Sequence, residues 1–353
     1  MRLIKTPLNL LILLILLVAC GNADDDFGGD AGIDKCLDLG TQELKLTIQD
    51  SYTTLPGKVS VFFKVNDTDG NPVPGLTASN FTIYEKGRND NCFNVISNSE
   101  SNGRISPNTQ IFNNNTLLVL DLSNSVLSSS LQELKSASVS FIQNVMPDTA
   151  SDSFKMAIYW FDGEDVLHEL HPLSTDKSEL INSIEGITAD ISNDPSTDLY
   201  GAVIKSTEIA SDIVDEYEQQ EIIAAASIVI FTDGTDQASR YTRDAALNAV
   251  NSADENISYF TIGLGSEIDE AVLANIGKTS SVFAENKDEL EGIFNEISIA
   301  VSGQARSYYL FEYCSPKRDG SGINQLVIQA TKSDKTGAVQ TEFDATGFTS
   351  GCN

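Results

Sequence analysis

Residues 117–120 form a run of four apolar side chains that leads directly into an aspartate. The run, Leu-Leu-Val-Leu, predicts a strand buried on both faces, as in the parallel sheets of α/β proteins. Asp121, Ser123 and Ser125 follow at alternate positions, and residues 128–145 have the apolar spacing of a helix. Oxygen donors at the carboxyl end of a buried strand suit a hard cation. The same residue types also cap helices, so on these residues alone both interpretations stay open.

From residue 115 onward, strand-like apolar runs alternate with helix-like stretches. This alternation is typical of a parallel sheet with helices on both faces. We therefore predict an α/β fold, a doubly wound and mostly parallel sheet, over residues 113–303. The expected strands are residues 117–120, 154–161, 226–231, 257–262 and 281–284, and the expected helices are residues 128–145, 180–187, 198–217, 243–253, 269–276 and 287–301.

Two regions outside that stretch show the alternation of half-buried strands. Apolar residues recur at every second position in residues 44–48 and 59–65, and Gly and Pro residues separate the runs. We predict a β-sandwich-like module over residues 36–112 and a C-terminal β segment over residues 304–353 that packs with it. The α/β domain is then inserted in the module. A separate C-terminal mini-domain is the alternative.

The first residues have the pattern of a secretion signal. Arg2 and Lys5 precede an apolar run of about eleven residues, which is too short to span a membrane comfortably. The run ends in Leu-Val-Ala-Cys, which resembles the lipobox of bacterial lipoproteins. We predict a lipoprotein signal peptide over residues 1–19, lipidation of Cys20, and an acidic flexible tether over residues 20–35.

These features predict a place in the bacterial cell envelope. The chain is expected to be lipid-anchored at the outer membrane, on its periplasmic or its exposed face, with membrane contact through the lipid alone. Its formal charge is -29, from 22 basic and 51 acidic residues. Such a surface repels phosphate backbones, so nucleic acid is not an expected partner.

The chain has five cysteines, and Cys20 accounts for the odd one. Four cysteines after a secretion signal imply two disulfides. Three pairings of Cys36, Cys92, Cys314 and Cys352 are possible. We favour Cys36–Cys92 and Cys314–Cys352, because each bridge then joins residues of one region. Four reduced thiols are the alternative.

Two more stretches carry oxygen-bearing side chains in related places. Residues 194–202, Asp-Pro-Ser-Thr-Asp-Leu-Tyr-Gly-Ala, form a loop that enters a helix, and residues 231–234, Phe-Thr-Asp-Gly, end a buried strand. With the first stretch they resemble the metal-ion-dependent adhesion site of von Willebrand factor A (vWA) domains. The resemblance covers about residues 113–303. The residues at its five metal-coordinating positions are Asp121, Ser123, Ser125, Thr197 and Asp233.

The resemblance implies how such a site binds. It implies a divalent cation, Mg2+ or Ca2+, that some side chains bind directly and others bind through water. One coordination position then faces solvent, where an acidic group of a partner can bind. The expected partner is a protein or extracellular-matrix ligand that offers a carboxylate. Val126 and Leu127 stand where integrin β subunits carry acids for an adjacent ion, so one ion is expected.

The leading functional hypothesis is a non-enzymatic, lipid-anchored binding protein. A structural component of an envelope complex, with a fold-stabilising metal, is the runner-up. Metal-assisted hydrolysis is disfavoured because no general base beside Asp121 or Asp233 can be named. His168 and His171 are the two histidines, and their spacing next to a proline indicates surface residues.

Overall fold

A computed structural model describes residues 32–97, 102–106, 112–220, 222–317 and 322–349. The predicted period-two regions form antiparallel strands at both ends of the described chain. Before the α/β region they are β1 (Leu44–Thr54), β2 (Lys58–Asp67), β3 (Phe81–Lys86), β4 (Asn94–Ile96) and β5 (Arg104–Ser106). The α/β region contains β6 (Phe112–Asp121), α1 (Asn124–Ser129), α2 (Leu131–Val145), β7 (Phe154–Phe161), β8 (His168–Ser174), α3 (Lys177–Glu185), α4 (Leu199–Glu218), β9 (Ile223–Thr232), α5 (Arg243–Ser252), β10 (Ile257–Leu264), α6 (Glu270–Ile276), β11 (Ser280–Ala284) and α7 (Leu290–Ala305). The last strands are β12 (Tyr308–Cys314), β13 (Ile323–Lys332) and β14 (Lys335–Asp344).

The central sheet has six strands in the order β11-β10-β9-β6-β7-β8. The first five are parallel, and β8 is an antiparallel edge strand beside β7. Apolar clusters cover both faces of the sheet, one with α2, α3 and α7 and the other with α4, α5 and α6. Central strands buried on both faces are expected to be continuously apolar, as residues 117–120 are. The predicted α/β fold class is confirmed.

The helix after β6 differs from the prediction. A single helix was expected over residues 128–145, but α1 begins at Asn124 and a break at Ser130 separates it from α2. Ser130 has φ -137° and ψ 8°, outside the helical region, and its hydroxyl donates to the carbonyl of Val126. The serine-rich stretch lacks the apolar spacing on which the prediction relied, and serine hydroxyls compete for backbone hydrogen bonds. Ser125 consequently lies inside the first turn of α1.

Strand β6 is longer than the apolar run that predicted it. It begins at Phe112, and Asn114, Asn115 and Thr116 pair with β9 and β7. These polar side chains are buried. Their backbone pairing extends the sheet past the point where the hydrophobic pattern ends.

Two four-stranded antiparallel sheets form a sandwich outside the α/β layers. Their strand orders are β1-β2-β12-β5 and β14-β13-β3-β4. One apolar cluster fills the space between them, and Phe81 of one sheet lies 5.4 Å from Phe63 and 5.5 Å from Phe311 of the other, between ring centroids. Strand β12 pairs with β2 and β5, and β13 pairs with β3. The strands after the α/β region therefore complete both sheets. The exact domain bounds stay a prediction.

The predicted Cys36–Cys92 disulfide is confirmed. Cys314 is also disulfide-bonded, whereas Cys352, its predicted partner, lies outside the described residues. The predicted signal peptide, Cys20 and nearly all of the predicted tether lie outside them too. Within the described ranges, no helix combines the length and the apolar character needed to cross a membrane.

Candidate metal centre

Two parallel strands of the central sheet end side by side at the predicted site. Strand β6 ends at Asp121 and β9 ends at Thr232, with Leu120 paired to Phe231. Asp233 follows immediately after β9. The carboxyl ends of parallel strands meet at one edge of a sheet, where open α/β sheets bind their ligands. The register of β6 and β9 therefore brings both aspartates to that edge.

Asp121 forms the buried end of the site. Its side chain has no exposed surface. Its Oδ1 accepts a hydrogen bond from the backbone N–H of Ser123 at 2.9 Å, and its Oδ2 accepts one from the Thr232 hydroxyl at 2.6 Å. Burial raises the pKa of this carboxyl to about 7 although both hydrogen bonds lower it, and the charge of Asp233 adds to the increase. A divalent cation beside Asp121 would compensate this buried negative charge.

The two serines connect Asp121 with Asp233. The hydroxyl oxygens of Ser123 and Ser125 are 3.3 Å apart, and the Ser125 hydroxyl donates to Asp233 Oδ1 at 2.8 Å. Ser123 is buried and Ser125 is exposed, so the group of oxygens extends from the core to the solvent. Burial raises the pKa of Asp233, and the hydrogen bond from Ser125 opposes that increase.

Thr197 lies in the loop before α4 and is buried. The carbonyl of Pro195 in the same loop accepts a hydrogen bond from the N–H of Asn124, the residue between the two serines, at 3.2 Å. The carbonyl of Thr197 accepts hydrogen bonds from the N–H groups of Gln237 and Ala238 at 2.9 and 3.0 Å. The loop is thus attached through its backbone to both of the other segments that carry predicted ligands.

The donor set fits a hard divalent cation. All five predicted ligands offer oxygen, which Mg2+ and Ca2+ prefer. Two adjacent oxygens of an octahedral Mg2+ ion lie about 2.9 Å apart, because each Mg–O distance is about 2.1 Å. The oxygen pairs Ser123–Ser125 and Ser125–Asp233, at 3.3 and 2.8 Å, are close to that separation. Little movement is therefore needed for these side chains to share one ion.

Two further buried side chains support the site, and sequence reasoning missed both. Thr232 donates to Asp121, as described above. Asp162, directly after β7, accepts a hydrogen bond from the Ser192 hydroxyl at 2.7 Å, and its backbone carbonyl accepts one from the N–H of Asp198 at 2.8 Å. These bonds hold the loop that contains the predicted threonine ligand. The missed signal was a polar residue directly at the end of a buried strand, the same signal that indicated Asp121.

The histidines are not the plain surface residues that the sequence indicated. Only 24% of the His168 side chain and 16% of the His171 side chain is exposed. The ring of His168 stacks on Trp160, with centroids 3.9 Å apart and an interplanar angle of 11°. Edge strand β8 pairs with β7 and so lays His168 against the tryptophan. That pairing could not be inferred from the spacing of the two histidines.

The family model of the von Willebrand factor type A domain matches residues 115–296, which is more than half of the 353 residues. The chain belongs to the vWA family. Domains of this family are typically adhesion or interaction modules. The matched segment begins in β6 and ends in α7, so it includes every strand of the central sheet and all five predicted ligands.

Several solved structures are similar to this vWA protein at low sequence identity. A von Willebrand factor type A protein from Catenulispora acidiphila is 10% identical, with a TM-score of 0.46, and the match covers 86% of this chain and 74% of that one. Proximal thread matrix protein 1 from the mussel byssus is 15% identical, with a TM-score of 0.43 and coverage of 59% and 49%, so the chain spans about half of that protein. Another structure of the mussel protein has zinc in its adhesion-site motif. Manganese-loaded TRAP from Plasmodium vivax is 14% identical, with a TM-score of 0.41 and coverage of 69% and 97%. No curated protein matches the sequence.

Proposed function

We propose that this vWA protein binds one divalent cation, Mg2+ or Ca2+, through Asp121, Ser123, Ser125, Thr197 and Asp233. The cation in turn binds an acidic group of a protein or extracellular-matrix partner. The observation that carries this proposal is the continuous group of oxygens from buried Asp121 to half-buried Asp233 and exposed Ser125. The buried end would hold the ion, and the exposed end would leave a coordination position for a carboxylate of the partner.

We further propose that the protein is a binding protein rather than an enzyme and is attached to the bacterial cell envelope by a lipid on Cys20. The support is the sequence pattern of residues 1–20, a basic start, a short apolar run and the Leu-Val-Ala-Cys end. The proposed location is the outer membrane, on its periplasmic or its exposed face. Partner binding, not nucleic-acid binding, fits the strongly negative surface.

The burial of Asp121 also supports a second possible function, in which the metal is structural. Asp121 is fully buried, and its pKa is raised because burial disfavours the charged form. An ion that neutralises this carboxylate would also stabilise the fold. The protein would then be a structural component of an envelope complex, with a metal that holds the domain together rather than a metal that binds a partner.

The test is calorimetric titration of Mg2+, and separately Ca2+, into the purified protein and into Asp121→Asn and Asp121→Ala variants. Asp212→Ala is the matched control, because it removes one carboxylate from an exposed position of α4. We expect one saturable site in the parent and in Asp212→Ala, and none in the Asp121 variants. Saturable binding that persists in both Asp121 variants would contradict the proposed site.

Thermal unfolding of the same proteins separates the two functions. A partner-binding site predicts that the metal-free protein and Asp121→Asn keep a cooperative transition. The ion then adds only the stabilisation that mass action requires, about 2.7 kcal/mol at 100 times Kd. A structural metal predicts that both proteins lose the cooperative transition. The isosteric Asn variant matters here, because Ala also leaves the Thr232 hydroxyl without its buried acceptor.

A further inference from the structure

A second group of metal-ligating side chains lies beside β7, the neighbour of β6 in the central sheet. Asp162 follows the end of β7, Glu164 lies in the loop after it, and His168 is the first residue of β8. One ligand atom from each of the three lies within 4.8 Å of those of the other two. None of these residues belongs to the predicted ligand set of the adhesion site.

The imidazole of His168 is held in one orientation and lacks a hydrogen bond on one nitrogen. Its ring stacks on Trp160, which is itself buried. Its Nε2 is inaccessible to solvent and has no hydrogen-bond partner among the described residues. This nitrogen faces Glu164, whose Oε2 is 3.5 Å away. This contact with Glu164 is too long for a good hydrogen bond, and a metal ion between the two groups would bind both ligand atoms directly.

The separation of His168 and Glu164 fits a tetrahedral ion. Zn2+ binds histidine nitrogen and carboxylate oxygen at about 2.0–2.1 Å, so two ligands of a tetrahedral zinc ion lie about 3.3 Å apart. The separation of 3.5 Å between His168 Nε2 and Glu164 Oε2 is close to that value. Zinc sites with an open position for water combine three protein ligands that include histidine nitrogen and carboxylate oxygen, and this group offers one imidazole and two carboxylates.

Asp162 supplies the buried carboxylate, and its geometry is fixed. The side chain has no exposed surface. Its Oδ1 accepts from the N–H of Glu164 at 2.8 Å, and its Oδ2 accepts from the Ser192 hydroxyl at 2.7 Å and the N–H of Asp194 at 3.3 Å. A carboxylate has about four lone-pair positions. These three hydrogen bonds therefore orient the group and still leave capacity for one metal bond.

We propose that Asp162, Glu164 and His168 bind a transition-metal ion of the Zn2+ type, at a site separate from the adhesion site. Three protein ligands and one water complete a tetrahedral shell. Asp162 also holds the loop that contains Thr197, through the Ser192 hydroxyl and the N–H of Asp198. Binding of the ion to Asp162 would therefore also stabilise that loop.

The single tryptophan makes the site directly observable. Trp160 is the one tryptophan of the chain, and it stacks on the proposed imidazole ligand. We would titrate Zn2+, and in parallel Co2+, into the full-length protein carrying Asp121→Asn, with Mg2+ in excess, and record tryptophan emission. The Asp121→Asn background removes a proposed ligand of the adhesion site and keeps the size of the side chain, so a response of Trp160 is read separately from the proposed function. We expect a saturable change in emission at one equivalent of metal.

Matched variants decide the assignment. His168→Gln is expected to weaken the metal response by at least about tenfold, since even loss of an outer-shell partner weakens metal sites by about 10–100-fold. His171→Gln, which removes the other histidine three positions away on the same strand, is expected to leave the affinity unchanged. Glu164→Gln serves as a second ligand variant that keeps the fold, because 39% of this side chain is exposed. Equal metal affinity in His168→Gln and His171→Gln would overturn the proposal. So would the absence of a saturable change in tryptophan emission in the Asp121 variant that carries neither histidine substitution.

Discussion

The protonation state of the Asp121 carboxyl affects the stability of the folded protein. Its carboxyl is fully buried, and the two hydrogen bonds it accepts do not offset the loss of hydration, so its pKa rises to about 7. The value in an unfolded chain is about 3.9. Below about pH 7 the metal-free folded protein therefore favours the protonated carboxyl. This side chain makes stability depend on pH, and the proposed cation would favour the carboxylate and make stability depend on metal as well.

The pH dependence of the metal-free protein follows from that difference. Between about pH 4 and pH 7 the folded state binds more protons at Asp121 than the unfolded state does. The free energy of unfolding in chelator should therefore fall as the pH rises through this window, by up to about 1.4 kcal/mol per pH unit. Denaturant unfolding at several pH values from 4.5 to 7.5, in the presence of chelator, measures this slope. Asp121→Asn should remove most of the slope, and saturating Mg2+ should remove it too, because the carboxyl is then deprotonated in both the folded and the unfolded state over most of this range. Identical slopes in the parent and in Asp121→Asn would contradict the assignment.

The start of helix α4 illustrates how an element shapes the site. Asp198 is its N-cap, and the carboxylate accepts a hydrogen bond from the N–H of Gly201 at 3.2 Å. A Cβ atom at Gly201 would lie 2.1 Å from Asp198 Oδ2. The first turn of the helix therefore leaves no room for a side chain at residue 201. Because Thr197 directly precedes the cap, this packing also fixes the position of a predicted metal ligand.

Two glycine substitutions in helices should have opposite effects. Gly201→Ala pushes against the Asp198 carboxylate, so we expect it to lower the free energy of unfolding by about 1–3 kcal/mol and to weaken Mg2+ binding. Gly292 in α7 has no atom within 4 Å of an added Cβ, so Gly292→Ala should raise stability by up to about 1 kcal/mol and leave Mg2+ binding unchanged. Denaturant unfolding and calorimetry measure both. A neutral Gly201→Ala would show that the cap can rearrange.

Local patterns predicted most elements, and tertiary context changed a few. The apolar strands of the central sheet were predictable because burial on both faces requires continuous apolar runs. The break at Ser130 was not, because serine is compatible both with a helix and with its ends. Edge strand β8 was also uncertain, because its pairing with β7 is irregular and its residues are half-buried.

The sandwich depends on pairing across most of the chain. Strand β12 pairs with β2, for example Phe311 with Val61, although the whole α/β domain lies between them in sequence. The Cys36–Cys92 disulfide closes a loop of 56 residues in the part of the chain before the α/β domain. Closing such a loop restricts the unfolded chain, which stabilises the folded state. The bridge is therefore expected to matter for the stability of the whole molecule and not for the metal centre.

Removing that bridge gives a test at this scale. For a loop of this length, loop entropy predicts a loss of about 4 kcal/mol in the free energy of unfolding for the Cys36→Ala/Cys92→Ala double variant. Denaturant unfolding measures the loss. Mg2+ affinity should stay unchanged, since the predicted ligands lie at the end of β6 and in the segments that follow β6 and β9 and precede α4, outside the sandwich. If the double variant folds but binds Mg2+ more weakly than the parent protein, the sandwich and the proposed metal site are energetically coupled.

The sequence by itself determined the α/β class and the chemical type of each predicted ligand, and it favoured the Cys36–Cys92 pairing among three. The first two follow from local periodicity and from the oxygen chemistry of a few side chains, whereas the parity of the cysteines implied disulfides and only the structure decided this pairing. Only the tertiary structure decided that Thr232 holds Asp121 and that His168 stacks on Trp160 beside two carboxylates. Such contacts depend on the register between strands, and residues far apart in sequence become neighbours only when that register is set.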